Sequence, residues 1–145
     1  MEDKLDFEIR AYVPTDEAFV MDSWKQSMMH VYTWVPRDTY YRVMDRALAR
    51  ILGNSQVLVA HEPADHNQIY GWICFGEDCV HYCFVKQAFR LQGIGKALLD
   101  ASGVPDAPVI ATHWSRGAEK VALDDNLIVY CPSKVEKIYV AYSEK

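Results

Sequence analysis

Arg90-Leu91-Gln92-Gly93-Ile94-Gly95 constrains the fold more than any other stretch of the chain. It stands between an apolar run, Val80 to Val85, and a helical-looking run, Gly93 to Ala101. A strand, a short polar turn and a glycine-rich helix start make a cradle for an anion. Glycine lets backbone approach an anion closely. The unpaired N–H groups and positive end of the helix then hold it.

The spacing excludes two common cradles. A dinucleotide fingerprint needs a third glycine three residues after Gly95, where the chain has Leu98. A Walker loop needs Gly-x-x-x-x-Gly-Lys-Ser/Thr, but Gly95-Lys96 is followed by Ala97, and Arg90 stands five residues before Gly95.

At 145 residues and 50% hydrophobic composition, the chain suits one packed domain, residues 1–145, rather than a disordered one. No apolar run approaches the length of a membrane-spanning helix. The charged start, Met1 to Phe7, lacks the apolar stretch of a signal peptide, so a cytoplasmic location is expected. A net charge of −5 without a basic run argues against a nucleic-acid partner, whose phosphates demand clustered Lys and Arg. It suits a cationic acceptor such as an amine, although acidity also serves solubility alone. Cys74, Cys79, Cys83 and Cys131 form no Cys-x-x-Cys pair. Cys79, His81 and Cys83 alternate along one strand. They read as small core residues, and no metal is expected.

Periodicity orders the rest. Phe7 to Tyr12 reads as a strand, and Thr15 as the cap of a first helix running toward Met29, with Met21, Trp24 and Met28 on one side. Tyr40, Val43, Met44, Ala47, Leu48, Ile51 and Leu52 follow the helical i, i+3, i+4, i+7 rule, with Asp38 as cap and Gly53-Asn54 as stop. Gln56 to His61 and Gln68 to Phe75 read as strands joined by a turn, Pro63 to Asn67. Ile94, Ala97, Leu98 and Ala101 form the buried side of a third helix. Val109 to His113, Leu127 to Cys131 and Lys137 to Tyr142 read as further strands, with a short helix within Gly117 to Asp125. The order is β-α-α-β-β-β-α-β-(α)-β-β, and pattern alone gives an α/β or α+β mixed sheet.

The loop pattern Arg/Gln-x-x-Gly-x-Gly/Ala resembles the coenzyme A pyrophosphate loop of the GNAT superfamily of N-acetyltransferases. Val80 to Leu99 as a whole is similar to the fourth strand, loop and third helix of that family, and most similar to its arylalkylamine acetyltransferase branch. The rest of the chain agrees with the family in element order. The resemblance implies a sheet that splays between strands four and five, with acetyl-CoA as cosubstrate in the split. It implies that the backbone of Phe84 and Val85 holds the pantetheine arm. The pyrophosphate would rest on Leu91, Gln92, Gly93, Ile94, Gly95 and Lys96, with Arg90 and Lys96 supplying charge.

The implied reaction is direct acetyl transfer to a primary amine of a small molecule or protein; a homodimer is left open. An ammonium of pKa about 10.4 is neutral at pH 7 in roughly one molecule in two thousand, a deficit of about 4–5 kcal/mol that a base can offset. The resemblance puts His81 on a catalytic histidine position of the arylalkylamine branch, and the ordinary histidine pKa suits a base. That branch has a second histidine two residues earlier, where this chain has Cys79. Glu77 and Asp78 are further candidates, since many members of the family use an acid at the start of this strand. His113 and Trp114 close the fifth strand at the expected mouth of the split and could line the acceptor pocket. The segment Met28 to Trp34 falls where the family builds its acceptor wall, with aromatics suited to a cationic or aromatic amine. The family's fourth-helix tyrosine, which protonates the leaving thiolate, has no counterpart pattern, and Tyr130 is the available substitute. Two other readings stay open: a degenerate domain that binds coenzyme A or a partner without turnover, and a phage-type base-modifying transferase on the same fold.

Overall fold

A computed structural model of the chain describes residues 5–105, 109–113 and 128–132. Among these residues six strands form one mixed sheet in the order β1-β2-β3-β4-β5-β6. They are β1 (Glu8–Ala11), β2 (Gln56–Glu62), β3 (Asp65–Phe75), β4 (Val80–Val85), β5 (Val109–Ala111) and β6 (Ile128–Tyr130). Strands β1 to β4 are antiparallel, and β4, β5 and β6 run parallel. The helices are α1 (Glu17–Met28), α2 (Arg37–Gly53) and α3 (Ile94–Ser102). None of the described helices is long and apolar enough to cross a membrane.

Two cores lie on opposite faces of the sheet. On one, Val20, Trp24 and Met28 of α1 and Tyr40, Met44, Leu48 and Ile51 of α2 bury Val57, Val59, Trp72, Cys74 and Tyr82. On the other, Ile94 and Leu98 of α3 bury Ala60, Tyr70, Ile73, Phe75, Val80 and Val109. With both faces covered, β3 is buried continuously from Ile69 to Phe75 instead of alternating. Lys25 ties α1 to α2 through Asp45, at 2.6 Å.

The caps differ from the sequence reading. Thr15 lies inside a 3₁₀ turn, Pro14–Asp16, ahead of α1. Asp16 does the satisfying: it accepts Val13 N–H at 2.9 Å and two bonds from the Arg10 guanidinium at 2.7 and 2.9 Å. Burial would raise the Asp16 carboxyl, but Arg10 and the Val13 amide outweigh it and hold its pKa below the usual range. Helix α2 starts at Arg37, so Asp38 is inside its first turn, where its charge still favours the helix dipole. Val43 is 55% exposed, and Leu52 packs only at the edge of the core. The turn between β2 and β3 shrinks to Pro63-Ala64, because β3 begins at Asp65. The expected short helix within 117–125 and strand within 137–142 lie outside the described residues.

Candidate functional site

Strand β4 is the axis of the site, and a bulge sets its faces. Cys74 of β3 pairs with Tyr82, while the next residue, Phe75, pairs with Val80. His81 is therefore the extra residue on β4. The slip sends Val80 into the α3 core, while Tyr82 and Phe84 face α1. Tyr82 stacks on Trp24 with centroids 5.3 Å apart, and its hydroxyl bonds Ser27 Oγ of α1 at 2.8 Å.

Strands β4 and β5 are in register only at Val80 and Ala111. Thr112 N–H still donates to Val80 carbonyl oxygen at 2.9 Å. Beyond this point β4 runs on from His81 to Val85 while β5 has ended, and among the described residues no strand pairs that edge. Val85 carbonyl oxygen at its far end accepts a 3.0 Å bond from Arg90 Nε. The edge leads directly to the glycine loop.

That loop has left-handed backbone at two nearby positions, Leu91 with φ 66° and Gly93 with φ 83°. Alternating handedness turns successive N–H groups toward one side, the geometry of an anion nest. Gly93 caps α3, so the first-turn amides of Ile94, Gly95 and Lys96 have no intrahelical acceptor. Leu91 is 94% exposed. Gln92 and Lys96 are exposed as well, whereas Ile94 is buried and anchors the helix start. Gln92 Oε1 accepts the amide of Leu5 at 3.4 Å. A Cβ on Gly95 would come 3.9 Å from Val85 Cγ2, so loop and strand end are adjacent.

A cleft of about 480 Å³ opens between α1 and the end of β4. Phe19, Asp22, Ser23 and Gln26 of α1 line it, opposite Phe84, Lys86 and Arg90. Ser23 is held there by Trp72, whose Nε1 donates to its Oγ at 2.8 Å.

His81 is 2% exposed. Its Nδ1 lies 2.9 Å from Thr112 Oγ1, and the same oxygen lies 2.9 Å from Nδ1 of His113. Its Nε2 is 3.6 Å from where a Cβ on Gly76 would stand. Burial pushes the His81 imidazole down to about 4; His113 adds to the effect and Asp78 opposes it. Burial likewise pushes His113 to about 4, against a hydrogen bond with the His81 backbone. Both rings are neutral at pH 7. His113 is half-buried and sits edge-on to Trp24 at 5.6 Å.

The other candidates are spread out. Glu77 and Asp78 are exposed in the turn before β4. Tyr130 pairs with Ala111, two strands from β4, and is 51% exposed. In the expected acceptor wall, Met28 is buried, Tyr32 packs on Tyr40, and Trp34 is 80% exposed. Trp114 lies outside the described residues. Sequence reasoning missed Thr112; its one signal was its place between an apolar strand and His113.

The sequence matches no protein-family model and no curated protein. Solved structures do resemble the fold. YjaB from Escherichia coli superposes with a TM-score of 0.53 at 17% identity, over 70% of this chain and 68% of that one. A GCN5-related N-acetyltransferase from Rhodopseudomonas palustris gives 0.50 at 17% identity, over 70% of this chain and 66% of that one. A GNAT family acetyltransferase from Brucella melitensis, solved with acetyl-CoA, gives 0.48 at 18% identity, over 80% and 81%. The mixed sheet, its β4–β5 parting and the likeness to the first two of these structures together show that the chain has the GNAT acetyltransferase fold.

Proposed function

We propose that residues 1–145 form one acetyl-CoA-dependent N-acetyltransferase domain that moves an acetyl group directly to a primary amine. The observation that carries this reading is the loop at the end of β4. Leu91 and Gly93 are both left-handed immediately before α3, and among the described residues no strand pairs the adjoining β4 edge beyond Val80. A nest of amides and an open strand edge, end to end, fit a ligand with a diphosphate at one end and an amide-bearing arm at the other.

Acetyl-CoA supplies the activated thioester. The amides of Leu91 to Lys96 hold its diphosphate, and Arg90 and Lys96 add charge. The edge of β4 at Phe84 and Val85 pairs with its arm as an added strand would, through the groups of Val85, since the Phe84 carbonyl faces Gly71 of β3. For that, Arg90 has to release the Val85 carbonyl, and its guanidinium then becomes available to phosphate.

The amine must reach the thioester unprotonated. Burial lowers both imidazoles to about 4 and so weakens them as bases; the histidine pair is favoured over the exposed Glu77 and Asp78 by position alone, His81 on β4 and His113 just past the end of β5. Tyr130 is the proposed acid for the leaving sulfur. The cleft beside α1 takes the acceptor, with Asp22 for a cation and Phe19 and Phe84 for an apolar body. That lining and the likeness of β4 to the arylalkylamine branch favour an aromatic amine over a protein amino group. The test is coenzyme A release with acetyl-CoA and a panel of arylalkylamines, other amines and peptides, alongside calorimetry. Turnover supports the reading. Binding without turnover selects the degenerate coenzyme A-binding module instead.

A further inference from the structure

Resting on the transferase reading, we propose that His113, Thr112 and His81 form a single proton relay with His113, the less buried ring, as its outer end. His81 is buried at the bulge, with Nε2 toward Gly76 beside the exposed turn at Glu77 and Asp78. It needs an intermediary to serve an amine in the split. Thr112 Oγ1 stands 2.9 Å from both Nδ1 atoms, and His113 is the less buried ring.

The hydroxyl imposes order on the pair. It has one proton, so it donates to one Nδ1 and accepts from the other. One ring therefore carries its proton on Nδ1 and the other on Nε2. The relay takes His113 as the Nδ1–H member and His81 as the Nε2–H member. That leaves Nε2 of His113 with a free lone pair.

The hops then balance. As the C–N bond forms, the amine nitrogen gives a proton to His113 Nε2. His113 Nδ1–H passes to Thr112, Thr112 O–H passes to His81 Nδ1, and His81 Nε2–H leaves to water by the Gly76–Asp78 turn. On return, water gives a proton to His81 Nε2 and the chain runs backward. His113 Nε2–H then goes by solvent to Tyr130, whose O–H has protonated the sulfur released when the C–S bond breaks. The net change moves one proton from amine to thiolate. His113 is the catalytic residue of the set; Thr112 and His81 act through it.

Two measurements test this. Nitrogen-15 spectra of the imidazoles at pH 7, without substrate, should show one Nδ1–H and one Nε2–H ring for residues 81 and 113. Two Nε2–H rings, or two Nδ1–H rings, overturn the relay whether or not the protein transfers acetyl groups. In turnover, Thr112→Val should lower kcat by roughly 10²-fold and make a curved proton inventory linear, while Thr112→Ser restores both. A Thr112→Val variant with full rate and an unchanged inventory overturns the proposal. A Thr112→Ser variant that folds but stays as slow as Thr112→Val does so too. An intact tautomer pair in a protein that binds acetyl-CoA but never turns over overturns the transferase reading and, with it, the relay.

Discussion

Gly71 of β3 faces β4 so closely that a Cβ on it would stand 2.5 Å from the Phe84 carbonyl oxygen and 3.1 Å from Val85 Cα. Both obstacles are backbone, so no rotamer change relieves them. These are the residues proposed to hold the pantetheine arm. Gly71→Ala should therefore push β4 outward, cost about 1–3 kcal/mol of stability and weaken acetyl-CoA binding. Urea unfolding and calorimetry read the two effects. A variant with unchanged stability and affinity would show that this close approach has no consequence.

The two loop glycines should respond differently. Gly93 has open space where its Cβ would be, but its φ of 83° makes Gly93→Ala cost about 1–2 kcal/mol through backbone strain alone. Gly93→Asn should cost less, since Asn tolerates this conformation. Gly95 would meet Val85 only at ordinary contact distance, so Gly95→Val should fold normally and lose acetyl-CoA. Thermal melts give the first comparison and binding isotherms the second. Equal melting temperatures for Gly93→Ala and wild type would contradict the strain.

Arg90→Ala should leave the fold intact, because the side chain is exposed and its hydrogen bond is to the Val85 carbonyl at the strand end. Acetyl-CoA affinity should fall roughly tenfold at low salt through loss of a charge-assisted contact. The difference from wild type should shrink as salt screens it. An unchanged Kd at low salt would place Arg90 outside the phosphate site.

Helix α2 and the glycine loop were legible because their signals are local. A helical period and a strand–loop–helix junction are each written within about twenty residues. The histidine pair was not, since Thr112 meets His81 across 31 positions of chain. The bulge at His81 was hidden too: alternation put Val80 with Tyr82, and the slip against Cys74 and Phe75 separated them. Gly71 reads as an ordinary strand residue until β4 is placed beside it. Asp16 replaces Thr15 at the start of α1 without a side-chain cap bond, its carboxylate being taken by Val13 N–H and by Arg10 on a different element.

Stability should fall on acidification through the histidine pair. The folded pKa of His81, about 4, lies below its unfolded value near 6.5. Between these values the unfolded chain binds more protons, so stability rises with pH. Its contribution is fully present above about pH 6.5, declines as pH falls toward 4, and amounts to on the order of 3 kcal/mol. His113 acts in the same sense over the same window. Urea midpoints for wild type and His81→Gln between pH 4 and 7 should converge toward the acid end. Parallel curves would show that His81 does not titrate with folding.

Titration of acetyl-CoA into the purified protein by calorimetry tests the central claim most directly, with Gly95→Val as the folded control. One site per chain in wild type, none in Gly95→Val, and an affinity that weakens with added salt are expected if the amides at residues 91–96 hold the diphosphate. No measurable binding to the wild-type protein, or equal binding to the Gly95→Val variant, would contradict the account.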